Sequence, residues 1–329
     1  MHSKRKLLIA SGFLNKKNKT IYRANIKTIS YVDSLEEINI GKHPHFIIIP
    51  FSKEKIIDIE ISSFIKLKPI YKRSRFRLLE KTAKKDYIDM LLKAKKLIEN
   101  GDIYQINLAM KFDFELNSKE ENLFWHFYNY QPVDFGFFFQ DKDFYIISGS
   151  MELFIKKKKD VILSKPIKGT SKYKTKLMKS QKDIAENLMI TDVMRNDFNK
   201  ISKDVCCKRL FAISKHKTLY HMYSEVYGKT NKNPLEILSQ TLPAASISGA
   251  PKQMATYLIK NIEPFDRTYY CGVASFVKDK NMVSSVLIRT LIGRRKDFSY
   301  YAGSGITYDS INEKEYEENM LKSKFFRVK

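Results

Sequence analysis

GDIYQINLAMKFDFEL, residues 101–116, is the clearest structural signal in the chain. From Tyr104 to Phe114 apolar side chains alternate with polar ones, which is the period-two pattern of a strand with one buried face. Over residues 87–98 apolar side chains recur at helical spacing, and Gly101 follows where a helix C-cap glycine belongs. The stretch therefore predicts an amphipathic helix that ends near Gly101 and leads directly into a strand.

The same two patterns continue on both sides of this stretch. Before residue 80 the short β-like runs are LLIA, FIIIPF and IIDIEIS, separated by lysine-rich connections. Further strands are predicted at 144–149, 152–156, 161–164, 219–227, 270–277, 283–292 and 298–302, and further helices at 181–197, 251–262 and 312–325. Neighbouring strands interrupted by single helices favour an α+β fold, a single large domain of mostly antiparallel sheets flanked by helices. Residues 1–80 are interpreted as a short, strand-rich N-terminal part of the same fold, and residues 81–329 as its main core.

The composition bounds the class of protein. With 329 residues and 43% hydrophobic side chains the chain can build a large core, which excludes fibrous, coiled-coil and fully disordered classes. The formal net charge of +24 raises nucleic acid or an anionic membrane as a partner. Because the lysines are scattered through the chain and not gathered in one tail, we expect a solvated basic surface, with no nucleic-acid or membrane partner.

Cysteine usage and the N-terminus predict a cytoplasmic protein. Cys206, Cys207 and Cys271 contain no CxxC pair and cannot make a disulfide framework or a four-cysteine zinc site. The start, MHSKRKLLIASGFLNKKNK, has basic residues before an apolar run, but that run is short and lacks a cleavage site. It is interpreted as a first strand. No apolar run approaches the roughly 20 residues that a membrane-spanning helix needs.

Two predicted helices each carry carboxylates three residues apart. They are Asp183 and Glu186 in KDIAENLMITDVMRND, and Glu315 and Glu318 in EKEYEENMLK, where Lys322 follows on the same face. Either pair alone is typical of a solvated helix surface. Together their oxygens would suit a hard cation such as Mg²⁺, with remaining positions left to water and an anionic substrate.

Two glycine-containing segments are interpreted as turns that can present backbone N–H groups to an anion. In ISGAPK, Pro251 is placed at the first helical position, so that the helix start faces the preceding loop. In AGSGI, Gly303 and Gly305 allow close approach of the backbone to a ligand. Neither matches a Walker or Rossmann fingerprint, which argues against nucleotide binding. A purely structural role stays open for both.

One lysine has an unusually defined setting. Lys168 in PIKGT lies between the rigid Pro166–Ile167 approach and Gly169, whereas most lysines of this chain lie in runs. A lysine amine is nucleophilic only in its neutral form, which burial or a neighbouring positive charge favours. On the residues alone, Lys168 is either a candidate nucleophile or one more surface lysine.

The order of these segments resembles a known family, the chorismate-utilising enzymes. The matching blocks, in chain order, are GDIYQINL, SMELF, PIKGT, KDIAENLMITDVMRND, HMYSEV, LPAASISGAPK, YYCGVASF, VLIRTL, YAGSGI and EKEYEEN. The family includes the large subunit of anthranilate synthase, aminodeoxychorismate synthase component I, isochorismate synthase and salicylate synthase. The resemblance implies the same α+β fold that the patterns predict, with residues 81–329 as the chorismate-binding catalytic core.

The resemblance also implies a set of site residues. Mg²⁺ would be held by the two acidic helices, through Asp183, Glu186, Glu315 and Glu318, with the shorter Asp183 acting through water. The carboxylates of chorismate would be held by Arg289, Lys322 and the backbone at Gly303 and Gly305, with Ser246 and Tyr270 as further contacts. An arginine fork gives such a contact both strength and orientation.

PIKGT resembles aminodeoxychorismate synthase component I, because anthranilate synthases typically have PIAGT at this place. That resemblance implies that Lys168 attacks C2 of chorismate while the C4 hydroxyl departs, and that ammonia then enters at C4 and expels the lysine. The product would be 4-amino-4-deoxychorismate, the precursor of p-aminobenzoate and folate. Glu152 in SMELF would protonate the leaving hydroxyl. His221 in YHMYSEV would lie near the reacting ring, as a proton-transfer group or as a structural histidine.

The resemblance implies that ammonia comes from a separate glutamine amidotransferase subunit, since none of the three cysteines lies in a GxCxG-like elbow. Anthranilate synthase and isochorismate or salicylate synthase are the alternative activities. A basic nucleic-acid-binding protein on a decayed enzyme fold is a remote alternative. Ala244 and Ala245 stand where the family more often has glycine, which would matter if that loop needs positive φ.

Overall fold

A computed structural model describes residues 5–16, 18–216 and 219–326. The strands are β1 (Arg5–Ala10), β2 (Ile21–Val32), β3 (His45–Ile49), β4 (Ile56–Lys66), β5 (Phe76–Lys81), β6 (Gln105–Leu116), β7 (Phe135–Asp141), β8 (Phe144–Ser150), β9 (Leu153–Lys158), β10 (Val161–Ser164), β11 (Ile167–Ser171), β12 (Lys203–His216), β13 (Leu219–Lys229), β14 (Gly249–Ala250), β15 (Val273–Lys278), β16 (Asn281–Val286), β17 (Thr290–Arg294) and β18 (Asp297–Ile306). The helices are α1 (Lys84–Glu99), α2 (Glu120–Tyr130), α3 (Lys174–Met178), α4 (Gln181–Ile201), α5 (Pro234–Thr241), α6 (Ala245–Ser248), α7 (Lys252–Ile262) and α8 (Asn312–Lys322). Short 3₁₀ helices cover Leu35–Glu37 and Lys324–Phe326.

The strands form one continuous antiparallel ribbon. Its order is β12, β13, β10, β9, β16, β15, β3, β4, β2, β1, β7, β8, β17, β18, β6 and β5, with β11 also beside β13 and β14 beside β6. Every pairing among these described strands is antiparallel. The α+β prediction, with antiparallel sheets flanked by helices, is confirmed.

The central strands bury both faces. In β3, Phe46 and Ile48 belong to one core cluster, while Ile47 and Ile49 belong to a second cluster that includes side chains from α1, α2 and α7. The Phe46 ring meets Phe13 edge-on at 5.0 Å between centroids. Burying a side chain of this size stabilises the fold by about 1.5–3 kcal/mol. This double burial explains the continuous apolar run FIII, which a strand with one wet face would not have.

The helix and strand around Gly101 are confirmed, with one correction. Helix α1 ends at Glu99, Gly101 adopts φ +83°, and β6 begins at Gln105. The prediction of a single buried face was wrong, because Gln105 and Asn107 are 1% and 8% exposed. Tyr104, expected inside, precedes the strand and is 64% exposed. The face that carries Gln105 and Asn107 lies against the candidate site described below, which is why polar side chains are buried there.

Three further sequence expectations need correction. The strand expected over 283–292 is two strands, β16 and β17, because the chain bends between them at Arg289, whose φ is +52°. AGSGI is not a turn: it lies within β18, where Gly303 and Gly305 pair with Ala109 and Asn107 of β6. Pro251 is the N-cap of α7 and not its first helical residue, because its ψ of 140° is extended.

The first strand predicted near the N-terminus is confirmed as β1, while residues 1–4 and 17 of that segment lie outside the described residues. Strand β1 pairs with β7, and β3 pairs with β15, so the strands that precede residue 81 join directly to later ones. The elements that were not predicted are strands β2, β5, β7, β11, β12 and β14 and helices α2, α3, α5 and α6. None of the helices in the described parts of the chain is long and apolar enough to span a membrane.

Candidate active site

The N-terminal turn of α4 lies directly beneath β11. Ser180 caps the helix, and its hydroxyl accepts a hydrogen bond from the Asp183 N–H at 3.3 Å. Gly169 of β11 has φ +83°, and a Cβ there would lie only 2.8 Å from the Asp183 Cβ. Only glycine combines this backbone conformation with this approach. The glycine of PIKGT therefore allows Lys168 to pass over the acidic face of α4.

Lys168 lies against the glycine strand. A Cβ on Gly305 would come 3.2 Å from the Lys168 Nζ and 3.5 Å from the Glu186 Oε2. The structure thus brings together three predicted site residues from β11, β18 and α4. The amine of Lys168 faces both a carboxylate and a strand that carries no side chain at this point.

Glu152 is a buried acid beside this lysine. Its side chain lies just before β9 and the residue is 4% exposed. Burial raises its pKa to about 7, while a hydrogen bond with the Ser246 hydroxyl, the charge of Lys168 and a backbone hydrogen bond with Ile167 lower it. Near neutral pH this carboxyl group is therefore divided between its acid and base forms, as a general acid requires.

His221 lies on β13, opposite Thr170 of β11. The ring is buried, and its Nδ1 is 2.9 Å from the Thr170 Oγ1. Because Thr170 is two residues from Lys168, this contact ties the imidazole to the strand that carries the candidate nucleophile. The contact fixes the orientation of the ring in either of the two roles expected for it.

The predicted carboxylate-binding residues form a second group at the end of α8. The Lys322 Nζ donates to the Gly303 carbonyl and to Glu318 Oε1, each at 2.6 Å. The Arg289 Nη1 donates to the Lys322 carbonyl at 2.7 Å. A Cβ on Gly303 would lie 2.8 Å from the Tyr270 hydroxyl oxygen. Tyr270, Gly303, Lys322 and Arg289 are therefore neighbours, next to the group that contains Lys168.

Ser246, the remaining predicted contact, lies in the short helix α6. Ala244 before it has φ −63°, and Ala245 begins the helix. Neither alanine needs positive φ. In this segment the unusual backbone is at Gly249, with φ +147°, where a Cβ would meet the Ala255 Cβ at 2.8 Å.

The two acidic helices face each other as expected, but they do not form a ready coordination shell. Among the described residues no three His, Cys, Asp or Glu side chains are arranged to hold a metal ion. The Lys182 ammonium lies between the helices, 2.5 Å from the Glu315 Oε1 and 3.7 Å from the Glu186 Oε1. Lys322 similarly pairs with Glu318. Burial raises the pKa of that carboxyl, but the charge and hydrogen bond of Lys322, together with the charges of Lys182 and Lys168, lower it overall.

The donor set nevertheless fits a hard divalent cation. Burial raises the pKa values of Asp183 and Glu186, and the negative charges of Glu315 and Glu318 add to that rise. The Glu315 Oε2 is buried and has no hydrogen-bond partner in the described part of the chain. Buried carboxylates that repel one another, one of them with an oxygen left unpaired, are stabilised by an oxygen-preferring cation. Ligation by these four acids stays a prediction.

Sequence reasoning missed Lys182 and Gln105. Lys182 stands four residues before Glu186, so the helical spacing did place it on the acidic face. Gln105 lies beside Gly305, and its Oε1 is buried without a hydrogen-bond partner among the described residues. The available signal was a polar residue on a strand that pairs with a glycine-containing strand. The alternation of polar and apolar residues alone assigns Gln105 to solvent.

Comparisons with known proteins agree with this arrangement. The profile of the chorismate binding enzyme family matches residues 65–328. The chain is 32% identical to aminodeoxychorismate synthase component 1 of Escherichia coli over 254 residues, which is 73% of this chain and 56% of that protein. It is 30% identical to anthranilate synthase component 1 of Acetivibrio thermocellus over 262 residues, 75% of this chain and 53% of that protein. The matched region thus spans little more than half of each relative.

Two solved structures show the same fold. The menaquinone-specific isochorismate synthase of Escherichia coli superposes with a TM-score of 0.83 at 15% identity, covering 99% of this chain and 89% of that one. Anthranilate synthase component I of Streptococcus pneumoniae gives 0.77 at 20% identity, covering 97% and 89%. At these identities the likeness concerns the fold alone. Because the family profile matches residues 65–328, which is most of the chain, the chain belongs to the chorismate binding enzymes.

Proposed function

We propose that this chain is component I of an aminodeoxychorismate synthase, which converts chorismate and ammonia into 4-amino-4-deoxychorismate. The observation that carries the proposal is the position of Lys168. Its charge acts on the buried acid Glu152, and its amine lies near Glu186 at the point where Gly305 leaves space. An amine, an acid and an open strand at one place are the parts that a covalent displacement needs.

The reaction runs in two displacements. The Lys168 Nζ forms a bond to C2 of the chorismate ring, the two ring double bonds shift, and the C4–O bond breaks. Glu152 supplies the proton with which the departing hydroxyl leaves as water. Ammonia then forms a bond to C4, the double bonds shift back, and the C2–N bond to Lys168 breaks. The lysine nitrogen keeps its two protons in the adduct and leaves as the neutral amine. The proton lost by the new ammonium group at C4 returns Glu152 to its acid form.

Other residues of the site bind and orient the substrate. Chorismate carries two carboxylates, which suit the guanidinium of Arg289, the ammonium of Lys322 and the backbone along Gly303 and Gly305. Ser246 and Tyr270 are proposed as further contacts. Mg²⁺, held by Asp183, Glu186, Glu315 and Glu318, would supply positive charge for one of these carboxylates. His221, oriented by Thr170, is proposed as a proton-transfer group near the ring.

Ammonia is proposed to come from a separate glutamine amidotransferase chain. The similarity to an aminodeoxychorismate synthase component supports this activity, and the similar match to an anthranilate synthase component supports the alternative. Lys168 favours aminodeoxychorismate synthesis, because a nucleophilic lysine serves the covalent displacement and is not needed where ammonia attacks the ring directly.

A product assay separates these activities. The purified chain is incubated with chorismate, Mg²⁺ and ammonium, with and without a lyase that converts aminodeoxychorismate into p-aminobenzoate. We expect p-aminobenzoate only when the lyase is present. Anthranilate, isochorismate or salicylate formed without the lyase would contradict the proposal.

A matched pair of lysine variants tests the role of Lys168 in the same assay. Lys168→Ala should abolish product formation, whereas Lys172→Ala, an exposed lysine of the same segment, should retain it. Product formation by Lys168→Ala at the wild-type rate would exclude the nucleophile.

A further inference from the structure

Lys182 links the two acidic helices. Its ammonium contacts Glu315 of α8 at 2.5 Å and Glu186 of its own helix α4 at 3.7 Å. The two carboxylate side chains are 2% and 10% exposed, while the Lys182 side chain is 41% exposed. The Lys182 ammonium therefore binds one buried carboxylate from each helix, and the side chain that carries it is partly open to solvent.

A single ammonium does not satisfy this site. It contacts the Oε1 atoms, whereas the Glu315 Oε2 is buried and has no hydrogen-bond partner among the described residues. A divalent cation that bound Glu315 and Glu186 would occupy the space of the Lys182 Nζ and would repel its charge at that short distance. Lysine and divalent cation therefore exclude each other from these oxygens.

We propose that Lys182 is an exchangeable counter-ion: its ammonium binds Glu315 and Glu186 in the cation-free protein and moves into solvent when a divalent cation takes the same oxygens. The inference rests on the Mg²⁺ site of the proposed function and adds a competitor built into the chain. A flexible, strongly hydrated lysine suits this exchange, because water can replace both of its carboxylate contacts.

The exchange has a measurable consequence for affinity. The apparent dissociation constant of the cation is the intrinsic one divided by the fraction of molecules in which Lys182 has left the carboxylates. A charge-assisted hydrogen bond of ordinary strength biases that equilibrium by roughly tenfold. Removing the ammonium should therefore tighten cation binding by about the same factor.

The test uses Mn²⁺ as the probe, because the electron paramagnetic resonance signal of the free aqueous ion is lost on binding. The whole chain is titrated without chorismate or ammonia. We expect Lys182→Met to bind Mn²⁺ about tenfold more tightly than wild type. Lys200→Met removes the same charge from the same helix, about 27 Å away along its axis, and should leave affinity unchanged. Lys200 is a suitable control because its side chain is 60% exposed and its contact with Asp197 is long, at 3.8 Å.

Glu315→Gln in the Lys182→Met background locates the ion and should weaken Mn²⁺ binding at least tenfold. Lys182→Gln serves as a second uncharged variant if Lys182→Met fails to fold. Equal or weaker binding after loss of the lysine charge overturns the inference, and so does binding that survives Glu315→Gln. Since the titration contains no substrate, its failure is distinct from a wrong product in the chorismate assay.

Discussion

Gly305 and Lys168 meet at the centre of the candidate site: a Cβ on residue 305 would lie 3.2 Å from the Lys168 Nζ and closer still to the Gln105 Nε2. The absence of a side chain at residue 305 therefore leaves the space in which the Lys168 amine lies. The glycine is required for space, since it lies in an extended strand without positive φ.

Gly305→Ala should lower kcat/KM by roughly a hundredfold, because displacement of a reacting group by about 1 Å costs on that order. The measurement is p-aminobenzoate formation in the coupled assay, with circular dichroism to show that the fold is kept. Gly41→Ala is the control, because a Cβ there has no atom within 4 Å. Equal activity of the two variants would show that Lys168 does not depend on this space.

A buried ion pair holds the strands that frame the site. The Arg267 Nη2 donates to Glu263 Oε1 and to the Asn107 carbonyl, each at 2.6 Å, and its Nη1 donates to the Ile247 carbonyl at 3.2 Å. Glu263 in turn accepts from the Ala109 N–H at 2.7 Å. The pair thereby joins α7, β6 and the segment that carries Ser246.

Arg267→Met should lower the free energy of unfolding by about 3–5 kcal/mol, because it leaves the Glu263 carboxylate buried without a counter-ion. Urea unfolding at neutral pH measures the change. Arg295→Met breaks an ion pair whose side chains are 78% and 59% exposed, and should cost no more than about 1 kcal/mol. Similar decreases in the free energy of unfolding for both variants would show that the buried ion pair stabilises the fold no more than the exposed one.

The buried acid predicts the pH dependence of the reaction. Burial raises the pKa of Glu152 to about 7, and the leaving hydroxyl needs the protonated form. The acid form prevails below that pKa and is lost above it. The ratio of wild-type kcat/KM to that of Glu152→Gln, in which the dependence on the neutral lysine cancels, should therefore fall about tenfold per pH unit on the alkaline side. Initial rates from pH 6 to 9 at constant ionic strength measure the profile.

Glu152→Gln supplies the matching control, because it keeps the shape of the side chain but has no proton to lose. Its activity should be low, and the alkaline limb that belongs to Glu152 should be missing. If the variant keeps the wild-type limb, another group controls the pH dependence.

The sequence predicted the local parts of this fold and site well. Gly101 marked the end of α1, and the alternation after it marked β6, because both depend on neighbours along the chain. The carboxylate pairs were likewise visible as helical spacing. The pairing of β3 with β15 joins residues more than 200 positions apart, and no local pattern specifies such a partner.

Burial of polar groups was the part that local patterns could not give. Alternation assigns Gln105 and Asn107 to solvent, but β18 and the site cover them. Lys168 was marked by its PIKGT setting, whereas Lys182 was one of many lysines, and its tertiary contact with Glu315 is what separates it from the solvated ones.

The covalent role of Lys168 predicts a trapped adduct. When ammonia is withheld, the second displacement cannot occur, so chorismate should remain bound to the lysine. Mass spectrometry of the acid-quenched protein should show an added mass equal to chorismate less one water, located by peptide mapping to the segment that contains Lys168. Addition of ammonium should discharge it, and Lys168→Ala should not form it, while Lys172→Ala should. An adduct that persists in Lys168→Ala, or wild-type protein that turns over with ammonium yet never carries the added mass, would show that ammonia attacks the ring directly and that Lys168 acts only by its charge.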